Sequence, residues 1–156
     1  MDKGTVFCYN LLIHNAHMRV ATCSKVRESA MDGNPPRKAI LYIEDDPANR
    51  VLVRRVMEAQ GYRVLEAESG RQGLELAQRE QVGAILVDIH MPEMDGFEVM
   101  ARLRAMPETA SVPMIALTAM VMKGDRERTL EAGCSGYIQK PIDVDLLPEQ
   151  VAALLT

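Results

Sequence analysis

Five residues able to do chemistry are spread along the chain: the adjacent acids Glu44 and Asp45, then Asp88, Thr118 and Lys140. Each stands at or just past the end of a short apolar run. The runs are Ala39–Ile43 before the acid pair, Ala84–Val87 before Asp88, Pro113–Leu117 before Thr118, and Gly136–Gln139 before Lys140. If the runs are parallel strands of one sheet, all these side chains share the carboxyl rim, where such sheets bind ligands. Carboxylates crowded there repel one another, by about 4 kcal/mol per pair at ~4 Å and an effective dielectric near ~20, before screening. A divalent cation removes that penalty, and an all-oxygen donor set that keeps several waters suits Mg²⁺. Lys140 adds a positive charge, and Thr118 a hydroxyl that donates to an anion. Carboxylate nucleophile, hard cation, ammonium and hydroxyl together describe phosphoryl transfer onto an aspartate.

The elements that must hold these residues alternate. Ala39–Ile43 reads as a buried strand. Asp46 and Pro47 supply an N-cap and a first-position proline for a helix. Leu52, Val53, Val56 and Met57 fall on one face of it, and Gly61 closes it. Tyr62–Ala67 is the second strand, and Ser69 caps a helix running to about Glu80. Ala84–Val87 is the third strand, and Asp95-Gly96 opens a helix that turns Phe97, Met100 and Leu103 inward. After the fourth strand, Pro113–Leu117, comes a helix over Asp125–Ala132 that Gly133 ends. Gly136–Gln139 is the fifth strand. The last helix starts near Asp145, because Pro148 must lie in its first turn, and reaches Leu155. Apolar strands alternating with helices predict an α/β, doubly wound parallel sheet of five strands with five helices, covered on both faces.

Composition narrows the class. The 156 residues suit one domain, with 47% hydrophobic residues, 26% charged and no Trp. A net charge of −4, without a basic helix or Lys/Arg run, counts against nucleic-acid binding. Cys8, Cys23 and Cys134 form no C-x-x-C pair, and reduced thiols in a cytoplasmic protein are the simplest reading. No apolar run approaches the ~20 residues of a membrane span. Lys3 precedes the apolar stretch Val6–Ile13, but Asn10 interrupts it, and Asp2 and the weak cleavage context argue against a signal peptide. Residues 1–37 carry five Lys/Arg and three Asp/Glu, against thirteen and nineteen over 38–156. The breaker cluster Asp32-Gly33-Asn34-Pro35-Pro36 separates the two parts. Residues 1–37 therefore read as an N-terminal extension, disordered or upstream of a native start for which Met31 is a natural choice, and 38–156 as the folded domain.

Four separated motifs carry a family resemblance: Ile43-Glu44-Asp45-Asp46; Ile85 to Gly96, with Asp88-Ile89-His90-Met91-Pro92 and Met94-Asp95-Gly96; Ala116-Leu117-Thr118-Ala119; and Gly136-Tyr137-Ile138-Gln139-Lys140-Pro141. In order and in spacing, thirty residues from Asp88 to Thr118 and twenty-two on to Lys140, residues 38–156 resemble the CheY-like receiver domain of bacterial response regulators. Met122–Arg128 and Glu131–Cys134 look more narrowly like stand-alone cell-division and polarity receivers, a stretch that hybrid-kinase receivers share. The resemblance implies the flavodoxin-like strand order 2-1-3-4-5. It implies that Asp88 accepts phosphate from a histidine kinase or histidine phosphotransfer protein. Asp45 would bind Mg²⁺ directly, Glu44 largely through water, His90 through its backbone carbonyl, and Asp88 itself would complete the site. Lys140 would pair with the phosphoryl oxygens, with Pro141 after a cis bond, while Thr118 and Tyr137 would move as the switch. Output would follow from binding an unidentified partner on the face of the fourth helix, fifth strand and fifth helix. The resemblance adds neither a nucleic acid nor a membrane, and it fits a monomer or weak dimer.

Plainer roles compete at several positions. Asp46 reads as a helix cap, and Glu93 and Asp95 as loop and cap residues. His90 has no second His or Cys near it in sequence and reads as an exposed loop residue rather than a transition-metal ligand. Met120 is expected to overhang Asp88 together with His90, its apolar side chain hindering the attacking water and so slowing the loss of phosphate. Cys134 reads as structural. Because the chain ends at Thr156, directly after the last helix, the expected protein is a phosphoacceptor rather than an enzyme, acting through phosphorylation-dependent binding. A relay shuttle that hands the phosphate on to a histidine phosphotransfer protein is the alternative, with an inactive scaffold behind it. A dehalogenase-type phosphatase would need a second Asp two residues after the nucleophile, where His90 stands.

Overall fold

In the computed structural model, which describes residues 39–119 and 132–154, the five apolar runs pair as one parallel sheet. The strands are β1 (Ala39–Ile43), β2 (Val64–Ala67), β3 (Val82–Asp88), β4 (Met114–Thr118) and β5 (Gly136–Gln139), in the order β2-β1-β3-β4-β5. That is the expected order, with the reversal lying between β1 and β3. Every residue of β1 and β4 is buried, as near-continuous apolar strands under helices on both sides should be.

Among the described residues there are four helices: α1 (Pro47–Ala59), α2 (Gly70–Arg79), α3 (Gly96–Ala105) and α4 (Leu147–Leu154). The helix expected over Asp125–Ala132 lies outside the described residues except for Ala132. On one face of the sheet, Leu41, Ile43, Ile85 and Val87 pack with Ala77 of α2 and Val99, Met100 and Leu103 of α3. On the other, Ile40, Tyr42, Leu86, Ile115 and Leu117 pack with Val53 and Met57 of α1 and Leu147 and Val151 of α4. Alternate residues of β1 thus feed opposite cores, as the two-residue period of a strand requires.

Three expected element starts move by two residues, each for a local reason, while β4 shifts by one residue at either end. β3 begins at Val82 rather than Ala84, because Ala39 pairs with Val82 and Ile40 with Ala84, so Gly83 is absorbed as an irregularity in the ladder. β2 begins at Val64 rather than Tyr62. The Tyr62 N–H donates to the Met57 carbonyl and the Gly61 N–H to that of Glu58, with Gly61 at φ 80°. These bonds complete a Schellman cap on α1, which holds Tyr62 to the helix end. The last helix begins at Leu147 rather than Asp145, because Asp143 Oδ1 accepts from the N–H groups of Asp145 and Leu146 and turns the chain first. The predicted caps are in place: Asp46 accepts from the Ala48 N–H, Ser69 from Gln72 and Asp95 from Glu98.

Candidate phosphoacceptor and metal site

Because β1, β3, β4 and β5 run parallel, their carboxyl ends bring Glu44, Asp45, Asp88, Thr118 and Lys140 to one rim. Glu44 and Asp88 are almost fully buried, at 1% and 3% exposure, whereas Asp45 is exposed. One carboxylate oxygen from each of the three lies within 4.8 Å of the others. Lys140 Nζ sits 2.8 Å from Glu44 Oε2 and 2.8 Å from Asp88 Oδ2, a bridge between two acids distant in sequence. Burial alone would lower the Lys140 pKa. Hydrogen bonds to Asp88 and Glu44 and the charges of both outweigh that and raise it above the ordinary lysine value. The Lys140 N–H donates to the Thr118 carbonyl at 2.8 Å, and the bond to Pro141 is cis.

The loop after β3 holds Asp88 from the other side. Asp88 Oδ1 accepts from the His90 N–H at 3.1 Å, so His90 touches Asp88 through its backbone while its side chain is exposed. Gly96, the first residue of α3, lies so close to this loop that a Cβ there would fall 2.3 Å from the Asp88 carbonyl oxygen. Glycine is what lets α3 start against the end of β3. Glu93, in the same loop, adopts φ 68°. Thr118 is buried at the end of β4, while Tyr137 is half-buried against the core beneath α2 and α3. Met120 lies outside the described residues. Asp46 caps α1 and does not join the acid cluster.

Two participants were not singled out from the sequence. Tyr42 is fully buried, and its hydroxyl donates to Glu44 Oε2 at 2.8 Å. Burial first, then the Glu44 charge and hydrogen bond, push its pKa upward, so it stays a protonated donor. Its signal was an aromatic with a polar tip inside an otherwise aliphatic strand, two residues before an acid on the same face. Arg50, one turn into α1, donates from Nη1 to the Glu44 and Asp45 carbonyls at 2.7 and 2.8 Å. Only its place near the helix start could have hinted at that.

The donor chemistry fits a hard divalent cation. Three carboxylates face one ammonium, leaving a local excess of negative charge on oxygen ligands only, without nitrogen or sulfur side-chain donors in the cluster.

A doubly wound sheet carrying an acid cluster and a lysine on its carboxyl rim defines a phosphoacceptor domain of the receiver class. The chain matches the response regulator receiver domain over residues 40–152 and belongs to that family. Receiver domains are phosphoacceptors that use Mg²⁺ rather than enzymes in the usual sense. The polar-differentiation response regulator DivK of Brucella ovis is 40% identical over 118 residues, a match spanning 76% of this chain and 96% of that protein. Among solved structures, the chemotaxis protein CheY4 of Vibrio cholerae superposes with a TM-score of 0.73 at 26% identity, covering 75% of this chain and 98% of that one. The receiver domain of a sensor histidine kinase from Pseudomonas aeruginosa gives 0.70 at 35% identity, covering 76% and 97%. That structure holds a magnesium ion coordinated in its active-site cleft. No helix among the described residues is long and apolar enough to cross a membrane.

Proposed function

We propose that this chain is a single-domain two-component response regulator, phosphorylated on Asp88 by a histidine kinase or histidine phosphotransfer protein and acting in the cytoplasm. An Asp88 carboxylate oxygen attacks the phosphorus of a phosphohistidine. The P–N bond breaks, and its electron pair stays on the imidazole nitrogen. Asp45, Asp88 and the His90 backbone carbonyl would hold Mg²⁺ directly, and Glu44 largely through water. When bound there, the cation would supply positive charge to offset that of the carboxylates and of the phosphoryl group. Lys140 then exchanges its contact with Asp88 for one with the new phosphoryl oxygens, and Thr118 donates its hydroxyl to them. Tyr137 moves inward with Thr118. The added charge of about −1.5 to −2 thereby reshapes the face around β5 and α4 for an output partner. In this reading residues 1–37 are an extension to the receiver.

The observation that carries the proposal is the Lys140 ammonium held at 2.8 Å from both Asp88 and Glu44, beside a third carboxylate. A lysine poised between two buried acids is placed to follow negative charge from carboxylate to phosphoryl. The test is incubation with acetyl phosphate and Mg²⁺, read by intact mass. One phosphoryl adduct is expected on the wild type and none on Asp88→Asn; adducts on both, or on neither, would overturn the reading.

A further inference from the structure

Tyr42 lies in the middle of the core under α1 and α4, fully buried among Ile40, Leu86 and Leu117. A phenylalanine would fill that space. Burying the extra hydroxyl is unfavourable unless it finds a partner. The partner is Glu44 Oε2 at 2.8 Å, and the same oxygen accepts from Lys140 Nζ, also at 2.8 Å. Tyr42 in β1 and Glu44, the residue just past its end, are two apart in extended chain and so point to the same side. A carboxylate oxygen offers about two lone pairs, so these donors together occupy Oε2. Oε1 is left with a long contact of 3.4 Å from the Asp46 N–H.

We infer that Tyr42 is a positioning residue for the phosphoacceptor reaction: its hydroxyl fixes the Glu44 carboxylate, and through it the sharing of Lys140 between Glu44 and Asp88. The inference rests on the reading of Asp88 as the acceptor. Without the hydroxyl, Lys140 becomes the principal donor to Oε2 and closes more tightly on Glu44. A divalent cation must then compete with that ion pair at a carboxylate that is no longer oriented for it. Groups that hold a ligating carboxylate in place ordinarily influence metal affinity in this way.

The variant Tyr42→Phe keeps the ring and removes the donor. Two readouts are compared with the wild type: melting temperature titrated with MgCl₂, and the Mg²⁺ concentration giving half-maximal phosphorylation by acetyl phosphate. Both midpoints are expected to rise several-fold, up to about tenfold. The phosphorylation rate at saturating Mg²⁺ should stay within about twofold of the wild type, because the lost interaction is recovered by added metal. A purely structural role would lower the melting temperature and leave both midpoints in place, and that result would overturn the inference. In a Glu44→Gln background Tyr42→Phe should add no further shift to the Mg²⁺ melting midpoint, whereas a fully additive shift would contradict action through Glu44. If the wild type forms no adduct, the acceptor reading fails by itself, and the melting titration still decides the role of Tyr42.

Discussion

Lys140 is the residue on which the local electrostatics turn. It bridges two acids that are buried, and removing one partner from such a cluster leaves charge without compensation. Lys140→Met should therefore cost about 3 kcal/mol in urea denaturation without divalent ions, and Mg²⁺ should narrow the gap. A stability loss of the same size with and without Mg²⁺ would tell against a shared charge balance. The raised pKa sets the pH behaviour: the folded value lies above the ordinary 10.5, so the lysine's contribution is complete below 10.5 and fades as pH rises through the folded value. The stability difference between wild type and Lys140→Met should stay flat through neutral pH and shrink only in the strongly alkaline range. Glu44, Asp45, Asp88, Thr118 and Lys140 were readable in the sequence because each closes an apolar run, so topology alone gathers them. Tyr42 and Arg50 were not, because one reads as core and the other as an ordinary helix residue until their partners are seen.

At the scale of elements, the site depends on how helices meet strand ends. Asp46 caps α1 directly after the acid pair, with its side chain 2.8 Å from the Ala48 N–H. Asp46→Ala should lower stability by about 1 kcal/mol and leave the phosphorylation rate unchanged, since Asp46 is outside the acid cluster. A large drop in Mg²⁺ affinity instead would assign it to the metal site. Gly96→Ala places a Cβ against backbone that cannot swing away, and it should cost about 2 kcal/mol and slow phosphorylation by displacing the loop that holds Asp88. Wild-type stability and rate in that variant would show that α3 does not press on the end of β3. Caps and glycine stops announced most element ends in the sequence. The three starts that moved by two residues depend on bonds between elements or within a turn: the Gly83 irregularity, the Tyr62 N–H reaching back to Met57, and the Asp143 turn. Such bonds compete with local propensity and leave no periodic trace.

Across the whole molecule, the strand order is what converts five scattered residues into one site. The switch between β1 and β3 puts Glu44 and Asp45 beside Asp88, and β4 and β5 then add Thr118 and Lys140 from one side. The alternation of strands and helices made the parallel sheet readable, while the order came from the family resemblance rather than from periodicity. The two cores differ in what they support. The one beneath α2 and α3 carries Tyr137, whereas the one beneath α1 and α4 carries Tyr42, so Tyr137 and the Glu44 carboxylate are braced from opposite faces. The central claim is that this architecture exists to place a phosphoryl group on Asp88. Its most direct test is to phosphorylate the protein with acetyl phosphate and Mg²⁺, trap the acyl phosphate by borohydride reduction, and locate the modified residue by peptide mass mapping. The account predicts modification at Asp88 that disappears when Mg²⁺ is chelated. Modification at another residue, or at Asp88 regardless of Mg²⁺, would contradict it.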